Sequence, residues 1–155
     1  MDRWIQYLKN DDYIGIKKYL KDGADVDDAD ENGQSVLSLA IRYGCEMDTI
    51  NLLIDAGADI EDFDNEGVSI FDMAISHNHK DMFDYLIEQG IDVDKTTRKS
   101  RFTPLMAAAS YGRADMLKAL LQNGANKDAV DKHGFKAIDF ARKMNKKSIL
   151  KLLDN

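Results

Sequence analysis

The feature that most constrains this chain is a spacing. Gly23, Gly57, Gly90 and Gly124 stand 34, 33 and 34 residues apart, and the residues around them copy one another. "KDGADVDDADENGQSVLSLA" from Lys21, "DAGADIEDFDNEGVSIFDMA" from Asp55 and "QNGANKDAVDKHGFKAIDFA" from Gln122 share one pattern, and "EQGIDVDKTTRKSRFTPLMAAA" from Glu88 is a looser copy. Self-similarity at such a period marks supersecondary units stacked in a row, not a motif that does chemistry.

Each copy has the same order of parts. An apolar run at helical spacing (Ile50, Leu53, Ile54) stops at a glycine, Gly57, where a left-handed helix end costs little. A short polar arm follows, turning near a second glycine, Gly33, Gly67 or Gly134. Then come a first helix (Leu37, Ala40, Ile41), a break at Gly44 and a second helix. One such hairpin cannot bury its own apolar face, so neighbours must stack. The predicted fold is an all-α solenoid of helix-turn-helix units with protruding β-turn arms, about five units forming a single domain over 1–155. Residues 1–23 form an N-terminal cap pair, 24–57, 58–90 and 91–124 are full repeats, and 125–155 close the stack with Lys143, Lys146, Lys147 and Lys151 facing solvent. Leu37, Leu53, Ile75, Leu86, Leu105, Leu117, Leu121, Ile138, Leu150 and Leu153 are expected among the core residues, with Met73, Met82, Met106 and Met116 filling gaps. Two copies carry an extra residue, one in "YGCEMDTI" between helices, the other in the arm "TTRKSRF", where Arg101 or Ser100 stands in place of the turn glycine.

"GADV", "GADI", "FTPLMAAASYG" and the turn glycines resemble the ankyrin-repeat family over nearly the whole chain. The resemblance implies that Thr103 caps the first helix of its repeat and Pro104 opens it, as the sequence permits. Ser35 and Ser69 keep the capping residue, and Lys136 does not. The family's histidine after Thr-Pro is replaced by Ser38, Asp72, Met106 and Asp139, which implies a weaker hydrogen-bond network between repeats. It further implies that the chain binds another protein and is not an enzyme.

Charge and motifs narrow the function. A net charge of −7 argues against nucleic acid as the partner. The distribution is lopsided: from Asp22 to Glu66 there are fourteen acids and one base, Arg42, whereas from Lys95 to Asn155 there are fourteen bases and five acids. No apolar run is long enough to cross a membrane. The lone Cys45 and the absence of a signal segment suit the cytoplasm, or the periplasm if a leader has been removed. Cys45 precedes a helix, a setting that can lower a thiol pKa. The acids of "LLIDAGADIEDFDNEG" recur in other copies and read as turn residues rather than metal ligands, and "DADENGQSVLSL" has Leu39 where a calcium loop needs Glu. His77 and His79 lack the further ligands a metal requires. No phosphate cradle or catalytic grouping is present, so neither a metal nor a cofactor is expected.

In the family the turn tips and the exposed ends of the first helices line a concave groove. The residues at those places are Glu31, Asn32, Gln34, Arg42, Tyr43, Phe63, Glu66, Val68, His77, Arg98, Lys99, Phe102, Tyr111, Lys132, His133 and Phe135. Mixed aromatic and polar composition of this kind suits a protein-binding surface with an acidic N-terminal and a basic C-terminal half. The chain is expected to be a monomer. In size and repeat count it also resembles single-domain bacterial ankyrin proteins that supply haem to catalase. That likeness implies haem as an alternative ligand, held by Tyr43, Tyr111 or His77, with catalase as the partner.

Overall fold

The computed structural model describes residues 1–154, which form ten helices in five antiparallel pairs: α1 (Asp2–Lys9) with α2 (Tyr13–Lys21), α3 (Val36–Arg42) with α4 (Met47–Asp55), α5 (Ile70–Ser76) with α6 (Lys80–Glu88), α7 (Pro104–Tyr111) with α8 (Ala114–Gln122), and α9 (Ala137–Lys143) with α10 (Lys147–Leu153). The odd-numbered helices stack on one another in an inner row, each touching the next. Alanines at that seam let the axes approach: Ala40, Ala74, Ala107, Ala108, Ala109, Ala137 and Ala141 are all buried. The residues assigned to the core from the sequence are buried with them, except that Leu121, Ile138 and Leu150 are half-buried at its edge.

Loops 22–35, 56–69, 89–103 and 123–136 join one pair to the next and project as arms 1 to 4. Ser35, Ser69 and Thr103 each accept a backbone N–H three residues on, from Ser38, Asp72 and Met106, and so start the inner helices. Lys136 does not cap with its side chain; Asp139 reaches back to its N–H instead, at 2.9 Å. The inner helices end in left-handed geometry at Gly44 and Gly112, and at Asn78 and Asn145, the residue types that tolerate it.

The histidine network implied by the resemblance is replaced by a different ladder. Cys45, His79, Arg113 and Lys146, spaced 34, 34 and 33 apart, each follow a left-handed residue and reach back one repeat. The Cys45 thiol donates to the Leu8 carbonyl at 3.2 Å. His79 Nε2 lies 2.7 Å from the Cys45 carbonyl. Arg113 donates to the Ile75 and Ser76 carbonyls at 3.0 and 2.8 Å, and the Lys146 stem lies beside Gly112. The first three contacts tie carbonyls around the inter-helix turn of one repeat to the next repeat, and the Ser76 carbonyl lies at a helix end where such a partner is needed. The lowered thiol pKa entertained for Cys45 is corrected here: the side chain is buried, and desolvation, with the Asp11 charge nearby, pushes it up to about 12. It is a structural thiol.

Candidate functional site

The acids of the arms hold the turns. Asp30, Asp64 and Asp131 each accept two backbone N–H groups, two and four residues on, every one at 2.9 Å. Asp25, Asp59 and Asp92 make the same two-residue closure at the base of their arms. Among the described residues, no group of three or more His, Cys, Asp or Glu is placed to hold a metal ion.

Arm 3 departs from this rule. Its turn closes from Arg101 N–H to the Arg98 carbonyl, as Gly67 closes to Asp64 and Gly134 to Asp131. Arg101 therefore stands at the glycine position, with φ +59°, and Arg98 at the aspartate position. Unable to accept a hydrogen bond, Arg98 turns inward. Its Nε donates to Asp72 Oδ2 at 3.3 Å, and its guanidinium lies 5.0 Å from the Phe102 ring centroid. The Asp72 side chain, on α5 of the preceding repeat, is 3% exposed, and Oδ1 has no hydrogen-bond partner among the described residues. Burial pushes its carboxyl above the ordinary range, against the pull of Arg98 and the Ser69 N–H.

An aromatic row continues from there. Phe102 packs edge-on against Phe140 at 5.1 Å, and Phe140 against Phe135 at 6.3 Å, with His133 a further 6.5 Å along. Phe102 is thus half-buried between arms, whereas Phe63, Phe135, Tyr111 and Met144 are each about half exposed, at 51, 50, 49 and 51%. Glu31, Asn32, Arg42, Glu66, His77, Lys99, Lys132 and His133 are exposed, and Gln34, Tyr43 and Val68 half-buried. Arg42 donates to Gln34 at 3.2 Å. Tyr43 lies under Lys9 and Tyr111 under Arg113, while His77 Nδ1 sits 3.2 Å from the Met73 carbonyl of its own helix.

Thr97, Ser100, Asn65 and Arg113 also shape this surface and do not stand out in the sequence. Aligning the four turns on their closing residue would have exposed the odd member, Arg98 against Asp30, Asp64 and Asp131.

Stacked helix hairpins with tips in a row define a repeat solenoid of the kind that binds proteins through tips and inner helices. Models of "Ankyrin repeats (3 copies)" and "Ankyrin repeats (many copies)" match residues 5–97 and 86–141, and the chain belongs to the ankyrin-repeat family. It is 45% identical over 62 residues to the E3 ubiquitin-protein ligase hecd-1 of Caenorhabditis elegans. It is 43% identical over 67 residues to alpha-latrocrustotoxin-Lt1a of Latrodectus tredecimguttatus. Those matches take in 40 and 43% of this chain but only 2 and 5% of the relatives. Among the described residues no helix is long and apolar enough to cross a membrane.

Proposed function

We propose that the chain is a non-catalytic protein-interaction module whose concave face is anionic over arms 1 and 2 and cationic over arms 3 and 4, so that a protein partner docks in one orientation. The observation that carries this is the coincidence of half-exposed aromatics, Phe63, Tyr111 and Phe135, with a change of charge sign along the row of tips. Aromatic anchors supply affinity and the charge gradient supplies steering. Haem carriage by Tyr43, Tyr111 or His77 is the alternative reading: Lys9 and Arg113 lie over the two tyrosine rings and His77 Nδ1 faces the Met73 carbonyl, contacts that leave the phenol oxygens and His77 Nε2 to be probed directly.

The test is kinetic. Reversing Lys99, Arg101 and Lys132, all exposed, should slow association with a partner recovered from the source cell by about tenfold or more at low salt, converging with the parent as salt rises. Arg98 stays untouched because it braces the arm. Association rates unchanged at low salt would refute electrostatic docking. Haemin titration that gives a tyrosinate or imidazole spectrum would bring the haem reading forward.

A further inference from the structure

We infer that the cleft between arms 2 and 3 receives an extended partner segment that carries a basic and an acidic side chain on either side of an apolar one. The inference rests on the protein-interaction reading above and specifies the partner's chemistry at one place.

Three observations converge on that cleft. The first is a missing rung. At the junction of arms 1 and 2, Asn65 N–H donates to the Asn32 carbonyl at 3.0 Å, and at that of arms 3 and 4, Lys132 N–H donates to the Ser100 carbonyl at 2.9 Å. The corresponding groups between arms 2 and 3 are Lys99 N–H and the Glu66 carbonyl, and among the described residues neither makes a hydrogen bond. The arms instead touch lower down, where Thr97 Oγ1 donates to the Gly67 carbonyl at 2.6 Å. A Cβ on Gly67 would fall into the Thr97 carbonyl. Joined at the base and parted at the tip, the two arms leave an open groove of about 560 Å³ lined by residues 63–68 and 97–100. The missing rung offers one backbone donor and one acceptor, which an extended chain can satisfy.

The second observation is charge. Glu66 lies on one wall and Arg98 and Lys99 on the other; the ion pair between the two arms, Lys95 with Glu61 at 3.9 Å, lies outside the cleft lining, and among the described residues none joins the lining residues of the two walls. Among the described residues Glu66 and Lys99 have no ion-pair partner, and Arg98 engages Asp72 through Nε. Its Nη groups keep their hydrogen-bonding capacity in an orientation fixed by Asp72 and Phe102, so the arginine is already posed for a carboxylate. The third is Phe63, an aromatic half exposed at the cleft and suited to an apolar side chain between the two charges.

The probe is a random peptide library displayed on phage and selected against the whole chain. Enriched sequences should carry Lys or Arg and Asp or Glu flanking an apolar residue. A synthetic peptide of that sequence should lose at least about tenfold in affinity on Glu66→Lys or on Lys99→Glu. Both sites are exposed and unpaired, so the variants should unfold with the parent. Reselection against the Glu66→Lys/Lys99→Glu double variant should reverse the charge order of the enriched peptides. The Lys99 amide should become protected from hydrogen exchange when the peptide binds. A peptide indifferent to both substitutions but abolished by Tyr111→Ala or Phe135→Ala would overturn the cleft and leave the interaction module standing. A purely acidic binder unaffected by Glu66→Lys would overturn the mixed-charge chemistry. A library yielding no saturable binder would count against both readings.

Discussion

Arms 2 and 3 are neighbouring copies of one loop, closed by different means. In arm 2 the turn is held from within: Asp64 Oδ1 takes the N–H groups of Glu66 and Val68, both at 2.9 Å, and Gly67 supplies the left-handed residue at φ +81°. In arm 3 the Arg98 side chain is tethered from outside, to Asp72 on the preceding repeat, while Arg101 takes the glycine's conformation. The bonds that close the arm 2 turn lie within five residues, and its tip adds Asn65 N–H and Nδ2 donated to the Asn32 and Glu31 carbonyls of arm 1. Arm 3 keeps its arginine in place through a buried carboxylate beneath it and the Phe102 ring against it. The difference teaches that one repeat grammar can be satisfied by local chemistry or by tertiary chemistry, and that the second route leaves a charged group posed at the surface.

The strongest way to break the comparison is Arg98→Ala. It strands a buried carboxylate and should cost about 3–5 kcal/mol near neutral pH. The penalty should shrink on acidification, because an unpaired Asp72 protonates more readily still. The sign follows from the raised pKa. A carboxyl that binds its proton more tightly in the folded state contributes stability below its unfolded value and loses it as pH rises through the folded one. Asp72→Asn, which removes the charge, should therefore change stability by less than about 1 kcal/mol. Denaturant unfolding of the three proteins from pH 4 to 8 checks both statements. A penalty for Arg98→Ala that ignores pH would mean the arginine works through its contact with Phe102 alone.

Asp64→Ala should have the next largest effect, about 1–2 kcal/mol, by leaving two turn N–H groups without their acceptor. Hydrogen exchange should quicken at Glu66 and Val68 first, with arm 3 little changed. Equal loss of protection in both arms would show that arm 2 is not self-contained.

Arg101→Gly should be the smallest change and of opposite sign, a gain of about 0.5–1 kcal/mol. Glycine adopts φ +59° without the penalty a β-carbon brings. The thermal midpoint should rise. A fall would mean that the exposed Arg101 side chain makes a contribution larger than its backbone strain.

Much of the fold could be read from the chain because its instructions are short-range and repeated. Helix stops at glycine, caps at Ser35, Ser69 and Thr103, and the turn role of the aspartates all follow from bonds between residues no more than five apart, repeated at one period. The candidate surface was legible only as a set of repeat positions. Gln34, Val68 and Phe102 share one such position, and each is half-buried, while the equivalent Phe135 is half exposed. Arg98 looked like another surface cation, since nothing local ties it to a carboxylate 26 residues away.

By itself, then, the sequence determined the architecture, the register of the repeats and the opposed charges of the two ends, all of which depend on local stereochemistry and composition. Only the tertiary structure decided that the Cys45 thiol is buried beneath Leu8, that Arg98 is a brace, and that arms 2 and 3 part at their tips. Those outcomes depend on which side chain of one repeat meets which of the next. That meeting is fixed by close packing of the whole stack and not by the residues on either side.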